Sequence, residues 1–351
     1  MDIGSGTKDI LLYDDRKNLE NCTKMILPSP TRVYAAKVNE ATKSGINLLI
    51  TGDTIGGGEM TSAISNHLKN GLEVYMYQKA AYSIRNDLDE VKSYGIKIID
   101  DNRLPKKFDG KILEINEVNI NDLHEFLLNF NEDLSDVDIV AIAVQDHGAP
   151  PKGMSNRKYR TDFIRKKIFK NPNLESLAFV EDDIPNNFLR MKSAIQASKR
   201  ELPKSKVLVM DTSLVALKGC SLDPMVVKDN AILAVNFGNE HTLAAILIGN
   251  DVIGMMEHHT ELLTTKKIAS FLNKFIVGEL TNKEMYDNGG HGAFYTSKFH
   301  KTKIDRIVVT GPNRNLIKNT GLDYIFASPA GDMMMTGPIG LVEISKESFF
   351  R

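Results

Sequence analysis

The chain has 351 residues, with 44 Lys and Arg against 45 Asp and Glu, a formal net charge of −1, 42% hydrophobic and 25% charged residues. That length predicts about two domains with a substantial core, and the balanced charge gives no global pull toward nucleic acid or a membrane surface. Cys22 and Cys220 are too few for a disulfide framework or for the clustered thiolates of an iron–sulfur centre, and no apolar run approaches the roughly 18 residues of a membrane span, so a reducing cytoplasm is the expected setting.

Asp2-Ile3-Gly4-Ser5-Gly6-Thr7, followed by the apolar Ile10-Leu11-Leu12, reads as a strand end, a tight turn and a return strand. Gly4 and Gly6 permit positive φ and leave no Cβ near whatever the turn approaches. Such a turn aims backbone N–H groups outward as an anion nest. Thr7 adds a hydroxyl for a phosphate oxygen, and Asp2 can hold a hydrated Mg2+. An ordinary glycine hairpin is the alternative. After Pro28-Ser29-Pro30 a helix is expected over 31–43, then a buried strand over 46–50 that runs into Gly56-Gly57-Gly58, a helix over 60–69 and a strand over 72–77. A strand, a glycine loop and a helix bind phosphate in principle. This one matches neither GxxxxGK[ST] nor GxGxxG, and a surface loop is the alternative. Residues 79–99 read as a helix-strand unit and 101–109 as a polar loop. Ile120, Leu123, Leu127 and Phe130 fall at helical spacing; within that segment Leu128 stands where HExxH would need its second His, which excludes that zinc motif.

Residues 137–144 form the most apolar strand of the first half and end at Gln145-Asp146-His147-Gly148. Polar residues at the carboxyl end of a buried strand face the crevice where ligands bind. His147 is therefore a candidate proton carrier, or else a turn histidine bonded to local backbone. Lys152, Arg157, Lys158, Arg160, Arg165, Lys166, Lys167 and Lys170 face one acid, Asp162. They read as a solvated helix face with Tyr159, Phe163 and Ile164 inward, or as a dock for an acidic partner. Asp183 with Pro185 suits a helix start. The strand over 207–210 ends at Asp211, which reads as a base or magnesium ligand, or as a turn with Ser213.

A second meander follows: a strand over 231–235, Asn236-Phe237-Gly238-Asn239-Glu240-His241-Thr242, a return strand over 243–248 and a third over 252–256. Asp2-x-Gly4 thus recurs as Asn236-x-Gly238, each with a Thr soon after, which suggests two duplicated halves. Neighbouring residues in a strand point to opposite sides, so only one of His258 and His259 can face a cleft together with Glu257. His147, His241, one of His258/His259, and His291 all fall at strand ends. Convergence would make them a metal or acid–base centre. Residues 306–310 form a strand running into Gly311-Pro312-Asn313-Arg314 and a short helix. Met333-Met334-Met335 reads as core filler.

Phosphate hairpin, second hairpin and strand-Gly-helix, in that order, resemble the actin, heat-shock chaperone and sugar-kinase superfamily, which binds ATP between two related domains. More narrowly, DIGSGTKDILLYD, VQDHG, VMDTSLVAL, NFGNEHT, EHHT, GGHGAF and TGPNR together resemble a mainly archaeal family. Its members often carry the label "pyruvate formate-lyase activating enzyme"; two distant cysteines cannot supply the iron–sulfur cluster such an enzyme needs. The resemblance implies an α/β fold of two duplicated actin/sugar-kinase-like (ribonuclease H-like) domains with a cleft between them: residues 1–150, a connecting segment 151–230 with the basic helix, and 231–351. It implies ATP and Mg2+ as cofactors. Gly4, Ser5, Gly6, Thr7, Asn236, Gly238, Asn239, His241 and Thr242 would lie at the phosphates, and Gly311, Pro312 and Asn313 at the nucleoside. Asp2 and Asp211 would serve magnesium, with Asp211 or His147 handling a proton. A magnesium-dependent ATPase or small-molecule phosphotransferase is expected, with a nucleotide-sensing regulator or a histidine-lined metal protein as alternatives. Expected partners are a nucleotide and a small molecule or protein, without membrane or nucleic acid, and self-association stays open. Three departures stand out: Asn236 replaces the usual second carboxylate, Pro312 replaces a usual glycine, and only Met1 precedes Asp2.

Overall fold

The computed structural model describes residues 1–100, 108–227, 229–300 and 303–350. Most of the polar loop expected over 101–109 lies outside them. Strands β1 (Asp2–Ile3), β2 (Thr7–Leu12) and β3 (Thr23–Pro28) form a meander, and helix α1 (Pro30–Lys43) leads to β4 (Asn47–Gly52). Helix α2 (Gly58–Lys69), β5 (Val74–Tyr77), α3 (Gln78–Ala81), α4 (Leu88–Ser93), β6 (Lys97–Ile99) and β7 (Gly110–Ile115) follow. Helix α5 (Ile120–Leu128) precedes β8 (Ile139–Val144), α6 (Asn156–Lys170) precedes β9 (Phe179–Val180), and α7 (Leu189–Glu201) precedes β10 (Lys206–Met210). Helix α8 (Thr212–Ser221) introduces the second meander, β11 (Ala231–Phe237), β12 (His241–Ile248) and β13 (Asp251–His259). Helices α9 (Thr265–Val277) and α10 (Asn282–Asp287), strands β14 (Gly292–Tyr295), β15 (Arg306–Thr310) and β16 (Ile325–Phe326), and helix α11 (Thr336–Phe349) complete the chain.

The architecture is α/β with three sheets. The first runs β3-β2-β1-β8-β10-β9, the second β14-β13-β12-β11-β15-β16, and a smaller parallel sheet runs β6-β5-β4-β7. In each large sheet an antiparallel meander supplies the first three strands, and its leading strand pairs in parallel with a later one, β1 with β8 and β11 with β15. The first sheet draws on residues either side of 150, since β8 and β10 both belong to it. Helices α8 and α11 lie between the two large sheets in one apolar core that includes Ala143, Leu208, Leu214, Leu217, Leu243, Val308 and Leu341. The two helices cross closely: a Cβ at Gly219 would sit 1.9 Å from the Thr336 carbonyl oxygen, and one at Gly340 would sit 2.1 Å from that of Val215.

Two local expectations change. Asp183 does not start a helix; α7 begins later, and its first amides are met by Asp146, whose Oδ2 accepts from the N–H of Arg190 (2.9 Å) and Met191 (3.1 Å). A carboxylate from another strand end thus does the capping. Phe130 falls beyond α5 and is exposed, because the chain turns through Asn129 and the left-handed Asn131. Among the described residues no helix is long and apolar enough to cross a membrane.

Candidate ligand cleft

The two hairpins match strand for strand. Asp2 pairs with Asp9 and Ile3 with Lys8; Asn236 pairs with Leu243 and Phe237 with Thr242. Each turn closes with the same bond, Gly4 N–H to the Thr7 carbonyl and Gly238 N–H to the His241 carbonyl, both 3.0 Å. The register therefore sets Asn236 against Asp2 and His241 against Thr7. Neither Gly4, Gly6 nor Gly238 has positive φ, contrary to the expected reason for glycine there. Space is the reason instead: a Cβ at Gly6 would meet Asn239 Nδ2 at 2.5 Å, and one at Gly238 would meet the His241 carbonyl oxygen at 2.7 Å. The first contact shows that the hairpin tips touch. Handedness does matter at Gly311, whose φ is +96° and whose Cβ would lie 2.5 Å from Asn236 Oδ1.

The hairpins open onto one cavity of about 720 Å³, a size suited to a small ligand. Asp2, Gly4, Ser5, Gly6, Thr7, His147, Asn236, Gly238, Asn239, His241, Gly311 and Pro312 all line it. Three expected residues do not. Thr242 is buried, its hydroxyl 3.0 Å from that of Thr260 just beyond β13. Asn313 braces the second hairpin by donating Nδ2–H to the Gly238 carbonyl at 3.0 Å. Asp211 caps α8, accepting from Ser213 N–H at 3.0 Å, and its other oxygen takes the Arg160 Nη1 at 2.8 Å. Both oxygens are engaged in structural bonds, which leaves Asp2 as the expected carboxylate that faces the cavity.

Asp2 is held tightly. Its Oδ1 accepts from Thr212 Oγ1 at 2.5 Å, and the backbone of Gly337 comes so near Oδ2 that a Cβ there would lie 1.9 Å from it. Burial pushes its carboxyl up to about 6, and the nearby Asp211 charge adds to this. Across the register Asp9 is pushed to about 7, by burial first and then by Asp2, and its Oδ1 is buried with no hydrogen-bond partner among the described residues.

The glycine loop at Gly56-Gly57-Gly58 lines the cavity, together with Tyr82 to Asn86 from beside the small sheet. Arg190 also reaches the cavity, its guanidinium on Glu117 (2.9 Å) and on the Gln145 carbonyl (2.9 Å). Nothing in its local sequence marks Arg190. Arg160 had a signal: Ile164 and Ile168 are buried on α6, and Arg160 lies one turn before them on the same face. It is buried rather than solvated, binding Asp211 Oδ2 and Glu257 Oε2, both at 2.8 Å.

Four histidines converge beside these groups. His241 lies opposite His259 across β12 and β13, and His291 precedes Gly292, which pairs with Glu257. His147 reaches them from the end of β8. Ring centroids stand 5.3 Å apart for His147 and His241, 5.4 Å for His147 and His291, 4.7 Å for His241 and His291, and 4.9 Å for His259 and His291. His258 points the other way, onto Phe271, with its nitrogens on the carbonyls of His259 and Asn288.

No curated protein matches the chain. A family profile does, over residues 55–316, a span that takes in the glycine loop, the second hairpin, all four converging histidines and Gly311. On that match the chain belongs to the family described as "Putative pyruvate format-lyase activating enzyme (DUF1786)".

Proposed function

We propose that the cleft binds Mg-ATP between two duplicated actin/sugar-kinase-like domains, and that the protein is a magnesium-dependent ATPase or small-molecule phosphotransferase. One observation carries the reading: two hairpins of the same register and turn bond meet tip to tip over a single cavity, with Gly311 beside the second. A common order of five strands, β3-β2-β1-β8-β10 in one sheet and β13-β12-β11-β15-β16 in the other, supports duplication. In this reading the backbone N–H groups of the hairpin tips hold phosphate oxygens, Asp2 orients hydrated magnesium, and the Gly56 loop with the start of α2 adds donors from the small sheet. Catalysis at such a site is positioning and electrostatics.

A sensor with little turnover is the second reading, favoured by Asn236 and by the engagement of Asp211. One carboxylate then serves where two are usual. The family description itself implies a cluster held by close thiolates. Cys22 lies between β2 and β3, Cys220 lies in α8, both are buried, and burial pushes the Cys220 thiol up. That donor set does not fit.

Thermal unfolding with and without Mg-ATP tests the proposal, with Asp2→Ala beside the parent. At a hundred times its Kd the ligand should add about 2.7 kcal/mol, and the variant should lose most of it. Phosphate release then separates enzyme from sensor. The absence of any shift across several nucleotides would remove both readings.

A further inference from the structure

A buried imidazole nitrogen ordinarily finds a hydrogen-bond partner, because leaving it bare forfeits its hydration without return. Here His241 Nε2 and both ring nitrogens of His291 are buried and unpartnered among the described residues. They share one spot. One donor nitrogen from each of His147, His241 and His291 lies within 4.8 Å of the other two. Ligands of a tetrahedral ion with bonds of about 2.0–2.1 Å stand about 3.3 Å apart, so ring rotations of little more than an ångström would close the set.

We propose that His147, His241 and His291 form a binding site for a divalent first-row transition ion of the zinc type, with its open coordination position toward the cleft.

The surroundings suit a cation. Arg160 brings one positive charge, and the two carboxylates that hold it, Asp211 and Glu257, bring two negative ones. Glu257 Oε2 also stands 3.6 Å from His291 Nδ1. That is too long for a hydrogen bond, yet it places a carboxylate behind the ring, where metal-bound histidines find their orienting partner, and leaves Nε2 for the ion. The Gln145 amide nitrogen Nε2 lies 2.9 Å from His241 Nδ1, and turning the amide over would present its oxygen to Nδ1–H in the same orienting role. Burial holds His241 down to about 4 and His291 to about 3, and burial with the Arg160 charge lowers His147 well below its ordinary value. All three are neutral bases at pH 7. Three neutral nitrogens select zinc or cobalt over magnesium or calcium, which take oxygen. Three protein ligands with a free fourth position are the pattern of a catalytic rather than a structural zinc site. Because His147 and His241 both line the cavity, that free position meets whatever the cleft holds. His259 stacks on His241 and His291 outside the triad.

The site needs no nucleotide, so its test stands apart from that of the preceding section. Chelator-treated protein is titrated with Co2+ and followed by its visible d–d absorption, then back-titrated with Zn2+. One equivalent of Co2+ should bind with tetrahedral or five-coordinate bands, yield to Zn2+, and resist excess Mg2+. His291→Ala and His147→Ala should each weaken binding by more than the roughly 10–100-fold that an orienting partner is worth, and Gln145→Ala by about that amount. His124→Ala, on α5 where the ring accepts from the Leu134 N–H and takes no part in the cluster, should leave metal binding unchanged. His147 is half-buried and its variant is the less disruptive of the two; circular dichroism of the metal-free forms reports whether each folds. Featureless octahedral spectra, or binding that folded His147→Ala leaves unchanged, would overturn the proposal.

Discussion

Asp2 and Asp9 face each other across the first hairpin, and their burial makes a pH-dependent contribution to stability. A carboxyl raised from 3.8 to about 6 or 7 keeps its proton in the folded state where the unfolded chain has released it. Folding therefore binds protons in this window, and stability falls as pH rises from about 4 through 7. Asp9→Asn removes one of these groups. Relative to the parent, the variant should be on the order of 2 kcal/mol better placed at pH 8 than at pH 5, read from urea unfolding at the two pH values. A difference independent of pH would mean that Asp9 titrates normally. The place of Asp2 at the cavity was legible in the sequence because it follows from a local pattern, Asp-x-Gly-x-Gly-Thr before an apolar run. Asp9 was not, because its environment comes from Asp2 across the register and from Asp332 of a distant segment.

Helices α8 and α11 show the same division between local and distant causes. Alanine stabilises a helix interior over glycine by about 1 kcal/mol, yet Gly219→Ala should destabilise this protein by about 1–3 kcal/mol net. The added carbon would meet backbone, 1.9 Å from the Thr336 carbonyl oxygen, and neither helix can retreat from a core shared by two sheets. Urea unfolding decides it; a neutral or stabilised variant would show that the helices do not cross this closely. The apolar runs that became β8, β10, β11, β12 and β15 were all readable, since buried strands announce themselves by composition. Strands β3 and β7 were missed. Both are partly exposed, with Lys24, Lys111 and Glu114 interrupting the apolar signal, and β3 ends in the proline that marked a turn. The small sheet escaped notice as a unit because its strand order is set by packing among α1, α2 and β4 to β7, and no repeat in the sequence declares it.

Across the whole molecule, Arg160 ties together groups that the chain order keeps apart: Asp211 follows β10 of the first sheet and Glu257 belongs to β13 of the second. Although burial works the other way, the guanidinium holds the Glu257 carboxyl well below the usual range. Arg160→Met would leave two buried carboxylates without their cation and should cost about 3–5 kcal/mol. Hydrogen exchange should then accelerate in both β10 and β13. Loss of protection confined to α6 would mean that the network is peripheral. The convergence of four histidines belongs to this scale too. Their strand-end positions were visible in the sequence, and only the pairing of β12 with β13 and of β13 with β14, with β8 brought alongside, made neighbours of them.

The matched hairpins carry different chemistry at matched places. Where the first has Asp2, Thr7 and Asp9, the second has Asn236, His241 and Leu243. One wall of the cleft thus offers hard oxygen donors and the other softer nitrogen. Two identical walls would accept an elongated ligand end for end in either sense. Unlike walls lift that degeneracy, so a molecule with chemically different ends has one preferred direction in which to lie.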